Sequence, residues 1–115
     1  MTRAQPLPDN AVELIARRFR TLGEPVRIKL LDRLREGEAT VVELTAAIGT
    51  TEQNVSKHLG LLHRAGIVTR RKQGNFSYYA IADAGVFVLC EYVCGSLQYQ
   101  AESLGRIVAG VPAGW

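Results

Sequence analysis

Apolar residues recur at helical spacing along most of this chain, and after Gly66 the period changes to the alternation of strands. Val12, Ile15, Ala16 and Phe19 line one face of a first helix, with Asp9 or Asn10 as its N-cap and Gly23 as its end. Glu24-Pro25 restarts the chain with proline near the first helical position. Val26, Leu30, Leu31 and Leu34 form that helix's stripe before Gly37 stops it. Thr40 followed by Glu43 has the spacing of a capping box and opens a short helix with Val41, Leu44 and Ala47 or Ile48 inward, closed by Gly49. Thr50-Thr51 caps the next helix, Thr50 and Gln53 repeat the capping-box spacing, and Val55, Leu59 and Leu62 fall at i, i+4 and i+7. Two strands, IVTRRK and FSYYAI, then flank Gln73-Gly74-Asn75, where Gly-Asn supplies the positive φ angles of a tight hairpin turn. Asp83 caps a final helix over about residues 84–108.

Helix, helix, helix-turn-helix, hairpin, long helix predicts a mainly α fold with a β-hairpin wing, that is, a winged helix-turn-helix. A three-helix core with an added hairpin also describes other small helical domains. The expected organisation is a flexible arm over residues 1–8, the winged domain over 9–108 with its last helix (84–108) as a dimerisation helix, and a loose tail over 109–115. At 115 residues and 47% hydrophobic the chain makes one domain with a high surface-to-volume ratio, so a homodimer is expected. No stretch is apolar enough to span a membrane, and MTRAQPLPDN lacks the apolar centre of a signal peptide, which predicts no membrane partner and a cytoplasmic location. Two cysteines are no disulfide framework.

Charge sharpens the picture because it is not evenly spread. Residues 50–82 carry Lys57, Arg64, Arg70, Arg71 and Lys72 against Glu52 alone, a net +4, while the remaining nine basic and ten acidic residues give −1. A basic segment on a helix and hairpin points to a polyanion, here double-stranded DNA. With Val55, Leu59 and Leu62 inward, Thr51, Gln53, Asn54, Ser56 and Lys57 lie outward on the first turns, where they reach base edges. Gln and Asn bond adenine bidentately and Lys meets guanine or phosphate. His58, Arg64, Arg70, Arg71, Lys72, Gln73 and Asn75 are the candidates for DNA backbone and wing contacts. An ordinary solvated helix face would read much the same, and aromatic residues of the hairpin belong more often to the core than to a stacking surface. No Ser-His-Asp set, phosphate-binding glycine loop or catalytic carboxylate pair is present, so no enzyme is expected.

NVSKHLGLLHRAGIVTRRKQGNFSYYAI closely resembles the recognition helix and wing of the ArsR/SmtB family of bacterial winged-helix repressors. EPVRIKLLDRL and TVVELTAAIGTTEQ are similar to that family's second and third helices, and the likeness runs over about residues 10–90. It implies a dimeric repressor that binds operator DNA and releases it to an inducer. By the same resemblance, the family's Cys-x-Cys metal position before the third helix corresponds here to Thr40 and Val42, which cannot bind metal. The metal set on the last helix corresponds to Asp83, Gly85, Ser96 and Tyr99, so Asp83 reads as a simple cap.

Cys90 and Cys94 remain, four apart and on one side of a helix. Phe87, Cys90, Cys94, Leu97, Ala101, Leu104 and Val108 form an apolar seam at spacings of three and four, and small cysteines suit a helix-pairing seam with no chemistry at all. A two-fold axis near this helix would instead gather four thiols, enough for a soft metal or metalloid or for thiol oxidation. A disulfide between the two within one intact helix is geometrically poor, with Cα atoms about 6 Å apart and Cβ vectors not aimed at each other. The function expected is therefore sequence-specific repression at an inverted-repeat operator, with Phe87, Cys90, Cys94, Leu97, Ala101 and Leu104 at the dimer interface and a thiophilic or thiol-reactive inducer at Cys90 and Cys94. The alternatives are a winged-helix protein-interaction module without DNA binding, and a ligand-independent repressor whose cysteines only pack.

Overall fold

The computed structural model describes residues 5–104, with helix-only placement for Leu104. The chain divides into two compact units, residues 1–82 and residues 83–115. The expectations for residues 1–4, for Val108 and for the tail fall outside the described residues.

In the first unit, α1 (Asp9–Leu22) starts after Pro8 with no side-chain cap, so neither Asp9 nor Asn10 caps it. Proline's fixed φ holds Pro8 extended, and the helix opens directly behind it. The amphipathic pattern of α1 is real, yet none of its residues is buried in this chain: Val12, Ile15 and Phe19 all stay exposed. Arg18 Nη2 donates to the Ala65 carbonyl at 3.0 Å, a cation placed at the C-terminal end of a helix. α2 (Pro25–Leu34) is capped by Glu24, whose carboxylate accepts from the Arg27 N–H at 3.0 Å. Leu30, Leu31 and Leu34 are buried as expected.

The capping box before α3 (Val41–Ile48) forms in full: Thr40 N–H donates to Glu43 Oε1 at 2.9 Å, and Glu43 N–H donates to Thr40 Oγ1 at 3.2 Å. Gly49 ends α3 in the left-handed region, φ 82°, which a side chain would disfavour and which turns the chain into α4 (Glu52–Arg64). The cap of α4 is Thr51, accepting from the Asn54 N–H at 3.1 Å, rather than the Thr50–Gln53 box. Thr50 accepts instead from the Asn54 side chain at 3.2 Å.

The sequence pattern predicts two strands, whereas among the described residues the sheet has three. β2 (Val68–Gln73) and β3 (Phe76–Ile81) form the hairpin, and the two-residue β1 (Ala39–Thr40) pairs with β3, giving the antiparallel order β1-β3-β2. The register sets Ala39 opposite Tyr79 and Thr40 opposite Tyr78 on one side of β3, with Arg70 opposite Tyr79 and Arg71 opposite Tyr78 on the other. α2, α3 and α4 pack on one another, and the sheet closes against them. Leu30, Leu31, Leu44, Val55, Leu59, Leu62, Ile67 and Val68 are fully buried, with Tyr79 nearly so. Each such aliphatic side chain contributes about 1.5–3 kcal/mol relative to exposure.

The second unit contains α5 (Gly85–Leu104). Asp83 Oδ1 accepts from the Gly85 N–H at 3.0 Å, the capping role read from the sequence. Phe87, Cys90, Cys94, Leu97 and Ala101 are half-buried. Val88, Tyr92 and Tyr99, nearly opposite them around the helix, form a second apolar stripe that the seam reading missed, and it is open, with Tyr92 75% exposed.

Candidate nucleic-acid interface

α4 buries Val55, Leu59 and Leu62, and it also buries His58. His58 falls between the apolar positions at helical spacing, so it is carried inward and cannot be the DNA backbone contact expected of it. The residue is 7% exposed, and Nδ1 lies 3.7 Å from Glu24 Oε2. At about 100° per residue, Gln53, Lys57, Gly60 and Arg64 stand directly opposite this inward face. Gln53, Ser56, Lys57 and Arg64 are exposed, and Asn54 is half-buried at the flank, its amide turned toward Thr50.

Thr51 is exposed, but its hydroxyl is engaged in capping. Thr50, Thr51, Gln53, Asn54 and Lys57 line one shallow concavity of about 550 Å³ at the N-terminal end of α4, where N–H groups and the helix dipole favour negative charge. Gly60 was not singled out in the sequence. It leaves the outward face low between Lys57 and Arg64, and its signal was spacing alone.

The wing separates its cations by strand alternation. Arg70 and Lys72 share the sheet face of Val68 and Tyr79, the face that meets the helices, and both are exposed. Arg71 lies on the other face, where it is already occupied. Its Nε donates to Glu38 Oε2 at 3.0 Å, Nη2 to Glu38 Oε1 and Nη1 to Gln73 Oε1, and its guanidinium lies 4.5 Å from the centre of the Tyr78 ring. The hydrogen bonds from Arg71 hold the Glu38 carboxyl below the usual carboxylate range, and the same contact raises Arg71 further. At the tip, Gly74 takes φ 64° while Asn75 keeps a negative φ, so the turn needs its glycine first and Asn75 is free to vary. Phe76 and Asn75 are exposed, and Tyr79 is the hairpin aromatic that joins the core.

The metal positions implied by family resemblance do not fit a metal. Thr40 is consumed by the capping box and Asp83 caps α5. Among the described residues no three His, Cys, Asp or Glu side chains gather as a metal set. Cys90 and Cys94 are both half-buried thiols one turn apart.

Residues 22–71 match the family model described as a helix-turn-helix domain. The crystal structure of Rv0081 from Mycobacterium tuberculosis superposes with a TM-score of 0.67 at 34% identity, covering 84% of this chain and 95% of that one. The chain belongs to the ArsR/SmtB family of winged-helix transcriptional regulators. In sequence, Rv0081, itself an uncharacterised HTH-type transcriptional regulator, is 42% identical over 71 residues, 61% of this chain and 62% of the relative. The HTH-type transcriptional repressor SmtB of M. tuberculosis is 36% identical over 78 residues, 68% of this chain and 58% of that protein. The chain thus spans about three fifths of the length of these ArsR/SmtB relatives. The solution structure of the homodimeric winged helix-turn-helix DNA-binding domain of Mb0332 from Mycobacterium bovis matches with a TM-score of 0.69 at 28% identity, over 83% of this chain and 91% of that one. ArsR/SmtB members are regulators and not enzymes. Among the described residues, no helix is long and apolar enough to cross a membrane.

Proposed function

We propose that this chain is a dimeric, sequence-specific DNA-binding repressor acting in the cytoplasm, where operator DNA lies. The observation that carries the reading is the outward face of α4, where Gln53 and Lys57 open a polar stripe that continues over Gly60 to Arg64 with no apolar residue in it. Gln53, Asn54, Ser56 and Lys57 read base edges in the major groove, with Thr51 capping the helix that presents them. Arg70, Lys72 and Asn75 bring the wing to the flanking phosphates, and Arg64 adds positive charge at the far end of the helix.

Two copies are needed because each chain leaves apolar helix faces open. α1 exposes Val12, Ile15 and Phe19, and α5 leaves the seam of Phe87, Cys90, Cys94, Leu97 and Ala101 half-buried and exposes Val88, Tyr92 and Tyr99 on its opposite side. Faces of that size suit a two-fold interface. The finer part of the proposal is that a soft metal, a metalloid or a thiol oxidant acts on Cys90 and Cys94 at that interface and lowers operator affinity. It is supported by two thiols one turn apart on a helix expected to meet its mate.

Selection of duplexes from a random-sequence pool by the purified dimer tests the reading. An inverted repeat whose half-sites lie about one helical turn apart is expected. Gln53→Ala should relax base preference, whereas Arg70→Ala and Lys72→Ala should each flatten the log affinity against log salt slope by about 0.9. A dimer that enriches no sequence, and whose weak binding ignores salt, would make the winged domain a protein-binding module instead.

A further inference from the structure

We propose that Glu38 is a positioning residue for DNA binding, clamping Arg71 as a brace across the sheet so that Arg70 and Lys72, and not Arg71, are the phosphate grips of the wing. This rests on the DNA-binding reading above. Glu38 precedes β1 and Arg71 lies in β2, with β3 between them, so the pair spans all three strands. Tyr78 occupies the middle of that span, opposite Thr40 on one side and Arg71 on the other, and the guanidinium crosses its ring to reach the carboxylate. Both Glu38 oxygens and Gln73 Oε1 accept from Arg71, so each of its three nitrogens is engaged. This planar fork cannot be reproduced by an ammonium.

The brace matters because the wing has little else to fix its angle. β1 pairs with β3 through Ala39 and Thr40, and past Thr40's partner Tyr78 toward the tip the hairpin has no third strand among the described residues. Arg71 sits at the start of this unsupported part and Gln73 at its tip end, and the brace ties both back to the segment leaving α2. The pair is about half exposed, so it adds little to global stability and its effect falls on orientation.

Charge and positioning make opposite predictions, which gives the test its power. Removing a carboxylate beside a DNA-binding surface strengthens binding to a polyanion if Arg71 is a phosphate ligand that Glu38 merely masks. It weakens binding if Glu38 orients the wing. Glu38→Gln and Arg71→Lys are compared with the parent on a duplex recovered by selection and on mixed-sequence duplex DNA, across a salt titration, with amide hydrogen exchange on the free proteins.

Expected are a loss of about threefold to tenfold in affinity for both variants, a salt slope unchanged, and faster exchange at residues 72–78. Tighter binding by Glu38→Gln would overturn the proposal, as would Arg71→Lys binding like the parent. Should the parent bind neither duplex, the DNA reading itself fails. Hydrogen exchange then still decides the brace: faster exchange at the tip of Glu38→Gln upholds it, and unchanged exchange removes it.

Discussion

His58 Nδ1 lies 3.7 Å from Glu24 Oε2, so a buried side chain of α4 meets the very carboxylate that caps α2. Nδ1 is sealed from solvent and, among the described residues, has no hydrogen-bond partner. His58 therefore belongs to the joint between two helices and not to the DNA surface. His58→Ala should lower unfolding free energy by about 1–3 kcal/mol while leaving the salt slope of DNA binding unchanged. A phosphate contact would do the reverse, losing about 0.9 of slope with stability intact. Urea unfolding and a salt titration on the same variant separate the two.

The capping box gives a pH prediction. Hydrogen bonds from the Thr40 backbone and hydroxyl hold the Glu43 carboxyl below its ordinary value of 4.5. A carboxyl depressed by folding contributes stability that is present above the ordinary value and is lost as pH falls through the folded one. Stability should thus begin to fall below about pH 4.5, Glu38 adding to the same limb through Arg71. Glu43→Gln keeps a box-forming side chain and should flatten this limb. Thr40→Ala should cost about 0.5–2 kcal/mol at neutral pH. Urea midpoints from pH 3 to 7 check both.

The open face of α1 gives the dimer prediction. Phe19 is 55% exposed and Ile15 is also open in the single chain, so a charge at either position should not unfold it. Ile15→Glu with Phe19→Glu is expected to leave the helical circular dichroism spectrum intact and shift sedimentation from dimer to monomer. Operator affinity should fall with it, because one half-site is then bound without its mate.

For Cys90 and Cys94 the expected outcome is a separation of binding from response. Cys90→Ser with Cys94→Ser should bind the selected duplex like the parent, because neither thiol lies on the DNA-reading helix. The parent, reduced, should release that duplex on addition of zinc, copper(I), cadmium, trivalent arsenic or a thiol oxidant, and the double variant should not. A tenfold release needs about 1.4 kcal/mol of coupling. A double variant that still responds would assign the cysteines to packing.

Much of this protein was legible in local pattern, because caps, turns and periodicity act over three or four residues. Thr40 and Glu43, Gly49, the Glu24-Pro25 restart and the hairpin tip all form where the sequence placed them. Val55, Leu59 and Leu62 turned inward, and that orientation alone put Gln53 and Lys57 outside. What only the tertiary structure decided involves partners distant along the chain. β1 exists because Ala39 and Thr40 meet β3, about forty residues on, and two residues carry no strand signal of their own. His58 is buried because Glu24 and the core surround a position that polarity alone assigns to the surface. Arg71 reads in sequence as one of three equal cations, and Glu38, 33 residues away, makes it different. Periodicity could state which side of a helix or strand a residue takes, but the partner waiting on that side is set by packing.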